Sequence, residues 1–82
     1  MSKTSEKEFS TLDVYLSAFL SLHGLTPTLE NLNGRIAFNF PAGDQLYRLM
    51  TSYNGNEPVP VADFVTQVKT LRGQMLTMRG SR

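Results

Sequence analysis

Lys69, Arg72, Gln74 and Arg79 are the side chains of this 82-residue chain whose types and spacing best suit recognition chemistry. Lysine and arginine neutralise phosphates, and an amide or a guanidinium can hydrogen-bond a base edge, so these four define a candidate nucleic-acid contact. Arg72, Met75, Met78 and Arg79 define a second candidate, a surface for a protein partner. Here the thioethers supply flexible, polarisable contact area and the arginines supply charge. Catalytic groups are scarce. His23 is the only histidine and cysteine is absent, which excludes thiolate zinc sites, thiol nucleophiles and disulfides. A triad or a metal cluster needs partners that no spacing here marks, so we expect no enzymatic activity, no catalytic residue, no metal and no cofactor. Asn33-Gly34 and Asn54-Gly55 are turn signals, because neither sits between a strand and a helix in a glycine-rich phosphate cradle. No small-molecule substrate is expected.

The formal net charge is +1, too small to argue from, but its distribution is uneven. Residues 58–82 hold Lys69, Arg72, Arg79 and Arg82 against the single acid Asp63, whereas residues 1–57 are net acidic. A basic end of this kind can meet phosphates or an acidic protein. It also fits cations gathered at a helix C-terminus, where the macrodipole favours them.

The elements that must position these groups are legible from pattern. At this length the chain forms one domain, and with 40% hydrophobic residues it can fill a small core. Residues 1–8 read as a solvated N-terminal tail. Ser10 and Asp13 are spaced as a capping box, and Phe9 and Val14 as a hydrophobic staple, so a helix is predicted from there. Leu12, Tyr15, Leu16, Phe19 and Leu22, with Ala18 and Leu20 at the edge, give it a broad apolar stripe, and His23-Gly24 ends it.

Asn33-Gly34 then joins two strand-like runs, Leu25 to Leu32 and Arg35 to Phe40. A two-residue Asn-Gly loop favours the type I′ turn, which sets the pairing Leu32 to Arg35, Asn31 to Ile36, Glu30 to Ala37, Leu29 to Phe38 and Thr28 to Asn39. One face then carries Leu29, Ile36, Phe38 and Phe40. The other carries Thr28, Glu30, Arg35, Ala37 and Asn39 and is expected to be wet. Pro27 cannot donate to a ladder, which places its strand at an edge.

Asp44 is a candidate cap for a second helix, with Leu46, Leu49, Met50 and Tyr53 on one face and a stop at Asn54-Gly55. Glu57 to Val61 is extended by its prolines and is a candidate third strand. The last helix is predicted from about Ala62 to Met78. Val61, Phe64, Val68, Leu71, Met75 and Met78 alternate spacings of three and four along it, the seam of a heptad. Gly73 falls on its outward side. Tyr15, Tyr47 and Tyr53 lie on apolar helical faces, either as core members whose hydroxyls reach water or as contact anchors. Residues 80–82 are expected to fray.

Taken in order, Phe9 to Leu20, then Gly24, Gly34 to Phe40, Leu49 with Tyr53-Asn54-Gly55, and finally Val61 and Phe64 resemble a small prokaryotic and phage family known only as domain-of-unknown-function family 5659. The resemblance covers roughly residues 9–76 and rests on core positions and turn residues. It implies a compact α+β domain of bacteria and mobile elements, with no assigned activity and no functional residue to carry over. Ser17 departs from the pattern, where alanine is expected.

The predicted architecture is α+β: helix, antiparallel β-hairpin, helix, short extended segment and helix, with the helices on one face of the hairpin. Residues 9–79 form the domain. The polar start, Met1 to Glu8, is unlike a signal peptide, and the apolar-rich stretch Leu12 to Leu22 is too short to span a bilayer, so a soluble cytoplasmic protein with no membrane partner is expected. Two functional readings follow. One is an interaction module that binds a protein or itself through the last helix; the other is a nucleic-acid accessory protein of phage or mobile-element type using the same basic helix.

Overall fold

A computed structural model describes residues 8–80; expectations about residues 1–7 and 81–82 fall outside that range. The chain runs β1 (Glu8–Thr11), α1 (Val14–Leu22), β2 (Thr28–Leu32), β3 (Arg35–Pro41), α2 (Asp44–Asn54) and α3 (Val61–Gly80). The fold is α+β, with a three-stranded antiparallel sheet in the order β1-β3-β2.

The hairpin has the register that its turn dictates, from Leu32 opposite Arg35 to Thr28 opposite Asn39. Asn33 and Gly34 both take positive φ, 56° and 92°, as a type I′ turn requires. The Asn31 side chain tightens the turn by accepting a hydrogen bond from the Gly34 amide at 2.8 Å. β2, preceded by Pro27, is an edge strand.

The third strand comes from the N-terminal side and not from the proline segment. Residues 57–60 form no ladder, whereas Glu8–Thr11, read from sequence as tail and helix entry, pairs along β3 with Phe9 opposite Phe40. β3 therefore becomes the central strand, and this corrects the expectation of a wet outer face. Ala37 and Asn39 are buried there, because Asn39 is bracketed by β1 and β2. Ser10 Oγ donates to Asn39 Oδ1, and Asn39 Nδ2 donates to Glu30 Oε1 at 3.0 Å.

With the capping-box segment taken into a strand, Asp13 caps α1 itself. Its carboxylate accepts from the Tyr15 and Leu16 amides at 2.9 and 3.1 Å. Five consecutive α1 residues, Leu16 to Leu20, are buried, so this helix is enclosed and not merely striped. Leu12 falls ahead of it and, like Tyr15, is about half exposed, against the predicted stripe; Tyr47 on α2 is exposed too. Ser17, fully buried, sends its hydroxyl back to the Asp13 carbonyl at 2.9 Å, so the expected alanine is replaced without an orphaned polar group.

Both α1 and α2 end in Schellman motifs. Gly24 (φ 99°) and Asn56 (φ 62°) supply the left-handed residues. Leu25 N donates to Leu20 O and Gly24 N to Ser21 O, and the pattern repeats as Glu57 N to Ser52 O and Asn56 N to Tyr53 O. The left-handed position after α2 is thus Asn56, with Gly55 as the C-cap. Asp44 lies inside the first turn of α2, where it complements the dipole, and makes no side-chain cap.

α1 lies against both α2 and α3, and α3 also reaches β2 and β3. The shared core holds Leu16, Ala18, Phe19, Leu20, Phe38, Phe40, Leu46 and Leu71. Ile36 and Phe38 are 2% and 0% exposed, which puts the apolar side of the sheet inside. Along α3 the predicted seam faces the core from Phe64 to Met75, while Val61, at the first turn, is exposed and Met78, half-buried, lies outside the core cluster. The helix continues two residues past Met78. The result is a slab of 40 × 37 × 17 Å, and one layer of helices on one sheet leaves long stretches of α3 at the surface.

Candidate recognition surface on α3

α3 distributes the candidate residues around its circumference. At 100° per residue, Arg72 and Arg79 fall about 20° apart, Lys69 lies beside them, and Gln74 points to the far side. The structure therefore does not bring the four candidate nucleic-acid residues onto one face. Lys69, Arg72 and Arg79 share a flank, and Gln74 lines a separate cleft of about 740 Å³ toward β2, with Leu29, Thr70, Gly73, Thr77 and Met78.

The four candidate partner residues divide in the same way. Arg72, Met75 and Arg79 come together in a cleft of about 340 Å³, completed by Leu76 and by Leu12 and Val14 at the entry to α1. Met78 belongs to the other side of the helix. Leu12, Val14 and Leu76 were missed by sequence reasoning. Leu12 reads from sequence as part of an interior stripe and Val14 as half of a staple with Phe9, and Leu76 lies off the heptad seam. Its signal was present nonetheless, since Leu76 stands four residues from Arg72 and three from Arg79 on their own flank.

The geometry of this cleft follows from α1 and α3 packing side by side. Leu71 anchors α3 at 3% exposure, Met75 is half-buried one turn later, and Leu76 turns outward at 66%. Leu12, 49% exposed, faces the same opening. Arg72 crosses to α1, where its Nη2 donates to the Tyr15 hydroxyl at 2.8 Å. Its guanidinium carbon stands 5.5 Å from the centre of the Tyr15 ring, within cation–π range. Tyr15 thus fixes one cation at the rim of an apolar floor. Among the described residues no carboxylate forms a salt bridge with Arg72 or Arg79.

The other titratable groups are engaged elsewhere. His23 donates from Nδ1 to the Phe19 carbonyl at 2.9 Å, stacks against the Phe19 ring at 4.4 Å, and has Glu57 3.9 Å from its Nε2. Burial, and secondarily the Asp13 carboxylate, hold the Tyr53 phenol above its ordinary value of 10.0. Among the described residues no three His, Asp or Glu side chains cluster as metal ligands. No helix among them is long and apolar enough to cross a membrane.

No curated protein and no solved structure matches this chain. A family model does, that of the domain of unknown function DUF5659, over residues 6–77. That span takes in the sheet with both its edges, α1, α2 and α3 as far as Thr77, and with it Leu12, Val14, Arg72, Met75 and Leu76 of the cleft. The chain belongs to the DUF5659 family.

Proposed function

We propose that this chain is a small non-enzymatic interaction module of the cytoplasm, binding a protein partner or itself through the C-terminal half of α3. One observation carries the reading: apolar side chains from two elements, Leu12 and Leu76, stand exposed on either side of a cleft rimmed by two arginines. Exposed apolar area of this sort, gathered and ringed by charge, is how small domains recruit partners. A slab with so small a core also gains from burial shared with another chain. Sedimentation velocity over a wide concentration range tests self-association, and a strict monomer at high concentration removes that arm. For a separate partner, capture from the native host is compared between the wild-type chain and Leu76→Glu. Equal recovery of the same protein by both chains counts against the cleft.

The second reading is a nucleic-acid accessory protein of phage or mobile-element origin, and it is favoured by Lys69, Arg72 and Arg79 lying on one flank of α3. It predicts DNA or RNA binding that is strongest at low salt and falls as counterions compete. Anisotropy titrations against both polymers decide it, and no binding at low salt ends it.

A further inference from the structure

We infer that the cleft between α1 and α3 takes an acidic amphipathic segment of a partner protein, one apolar side chain flanked by carboxylates about 10 Å apart. The inference rests on the protein-binding reading above and names the chemistry of the occupant. Charge complementarity selects it. Arg72 and Arg79 are seven residues apart on one helix, which separates them by about 10.5 Å along the axis. Leu12, Val14, Met75 and Leu76 form the apolar lining between and beside them. Arg72 is already held by the Tyr15 hydroxyl and ring, so its charge is in place before a ligand arrives. A guanidinium has five N–H donors, and this contact uses one of them, leaving a pair for a bidentate carboxylate.

The alternatives fit less well. An isologous contact between two copies through this cleft would set Arg72 and Arg79 of one copy against the same cations of the other. A phosphate backbone would meet the cations but leave Leu12 and Leu76 without apolar contact. An occupant with carboxylates around a leucine, methionine or phenylalanine satisfies both parts of the site.

Selection of random peptides displayed on phage against the full chain tests this directly. Enriched peptides should carry Asp or Glu on both sides of a large apolar residue. Their binding should weaken about threefold to tenfold with Arg79→Gln, as expected for loss of one charge-assisted contact at a rim. It should weaken further with Leu76→Ala, fall as salt is raised, and be unchanged by Met78→Ala on the opposite side. Residues 76 and 79 are exposed, so circular dichroism should show both cleft variants folded as wild type. Enriched peptides that are neutral or basic, or that bind Arg79→Gln and Leu76→Ala as well as wild type, overturn the inference and leave protein binding standing. Absence of any enrichment, together with a strictly monomeric chain, removes the protein-binding reading along with it.

Discussion

Replacing Leu71 with alanine should bring the domain close to unfolding, whereas the same change at Leu76, five residues along the helix, should leave stability almost untouched. Leu71 is 3% exposed and is the one residue of α3 wholly within the shared core, where α3 meets α1 and the sheet. Truncating it removes buried hydrocarbon and leaves a cavity, at a cost of about 2–4 kcal/mol for a site that relaxes only in part. A domain of this size has roughly 5–10 kcal/mol in total, so about a fifth or more of its stability depends on one side chain. In a thermal scan about 3 kcal/mol corresponds to a fall in Tm of roughly 12–24 °C. Leu76, at 66% exposure, should change stability by no more than about 0.5 kcal/mol in either direction. The assay is urea unfolding of both variants beside wild type, followed by far-UV circular dichroism. If Leu71→Ala and Leu76→Ala shift the midpoint equally, α3 is not anchored as described, and the cleft it forms with α1 has no fixed wall.

Four further outcomes are expected. Asp13→Ala removes the acceptor for two α1 amides and should cost about 1 kcal/mol in urea unfolding. Gly73→Ala should raise stability by about 0.5–1 kcal/mol in the same assay, since a Cβ there meets nothing within 4 Å and glycine weakens a helix interior. Asn39→Asp places a carboxylate against Glu30 and should cost about 1–3 kcal/mol at neutral pH. Because the paired carboxyls then titrate above their unfolded values, the variant should recover relative to wild type as the pH is lowered through that raised range. Tyr53 titrates above 10.0 in the folded chain, so the unfolded chain releases its phenolic proton first. Its contribution is complete below pH 10 and is lost as pH rises through the folded value, and Tyr53→Phe should flatten this part of the pH–stability curve.

What could be read from the sequence, and what could not, divides by the range of the interactions. The hairpin's register, though not the start of its first strand, was legible to the residue because Asn33-Gly34 is a local device: two positive-φ positions fix the pairing, and period-two alternation then assigns Ile36 and Phe38 to the core. The inward seam of α3 was legible for the same reason. β1 was not. Phe9 to Thr11 is too short to announce a strand, and its partner lies at Phe38 to Phe40, far along the chain. Ser10 and Asp13 have the spacing of a helix start, and nothing nearby shows that Ser10 instead bonds Asn39. One clue was available. Phe40 had no hairpin partner that could continue the ladder, since Pro27 stands opposite it in register. The recognition cleft shows the same division. On α3, Arg72, Met75 and Arg79 followed from helical spacing and Leu76 did not; on the α1 side, Leu12 was hidden because the helix starts later than predicted, and Val14 because its spacing from Phe9 suits a staple.

The placement of Glu8–Thr11 beside β3 also guards against aggregation. β3 reads Arg-Ile-Ala-Phe-Asn-Phe-Pro, and ahead of its terminal proline the stretch Ile36 to Phe40 is uncharged and rich in phenylalanine, close to the composition of a self-templating fibril segment. In the native sheet both its borders are occupied, and the exposed rims fall to strands carrying Glu8 and Glu30. Proteolytic clipping after Thr11 would turn that run into an open border, and the clipped chain should seed insoluble aggregates where the intact one stays dispersed.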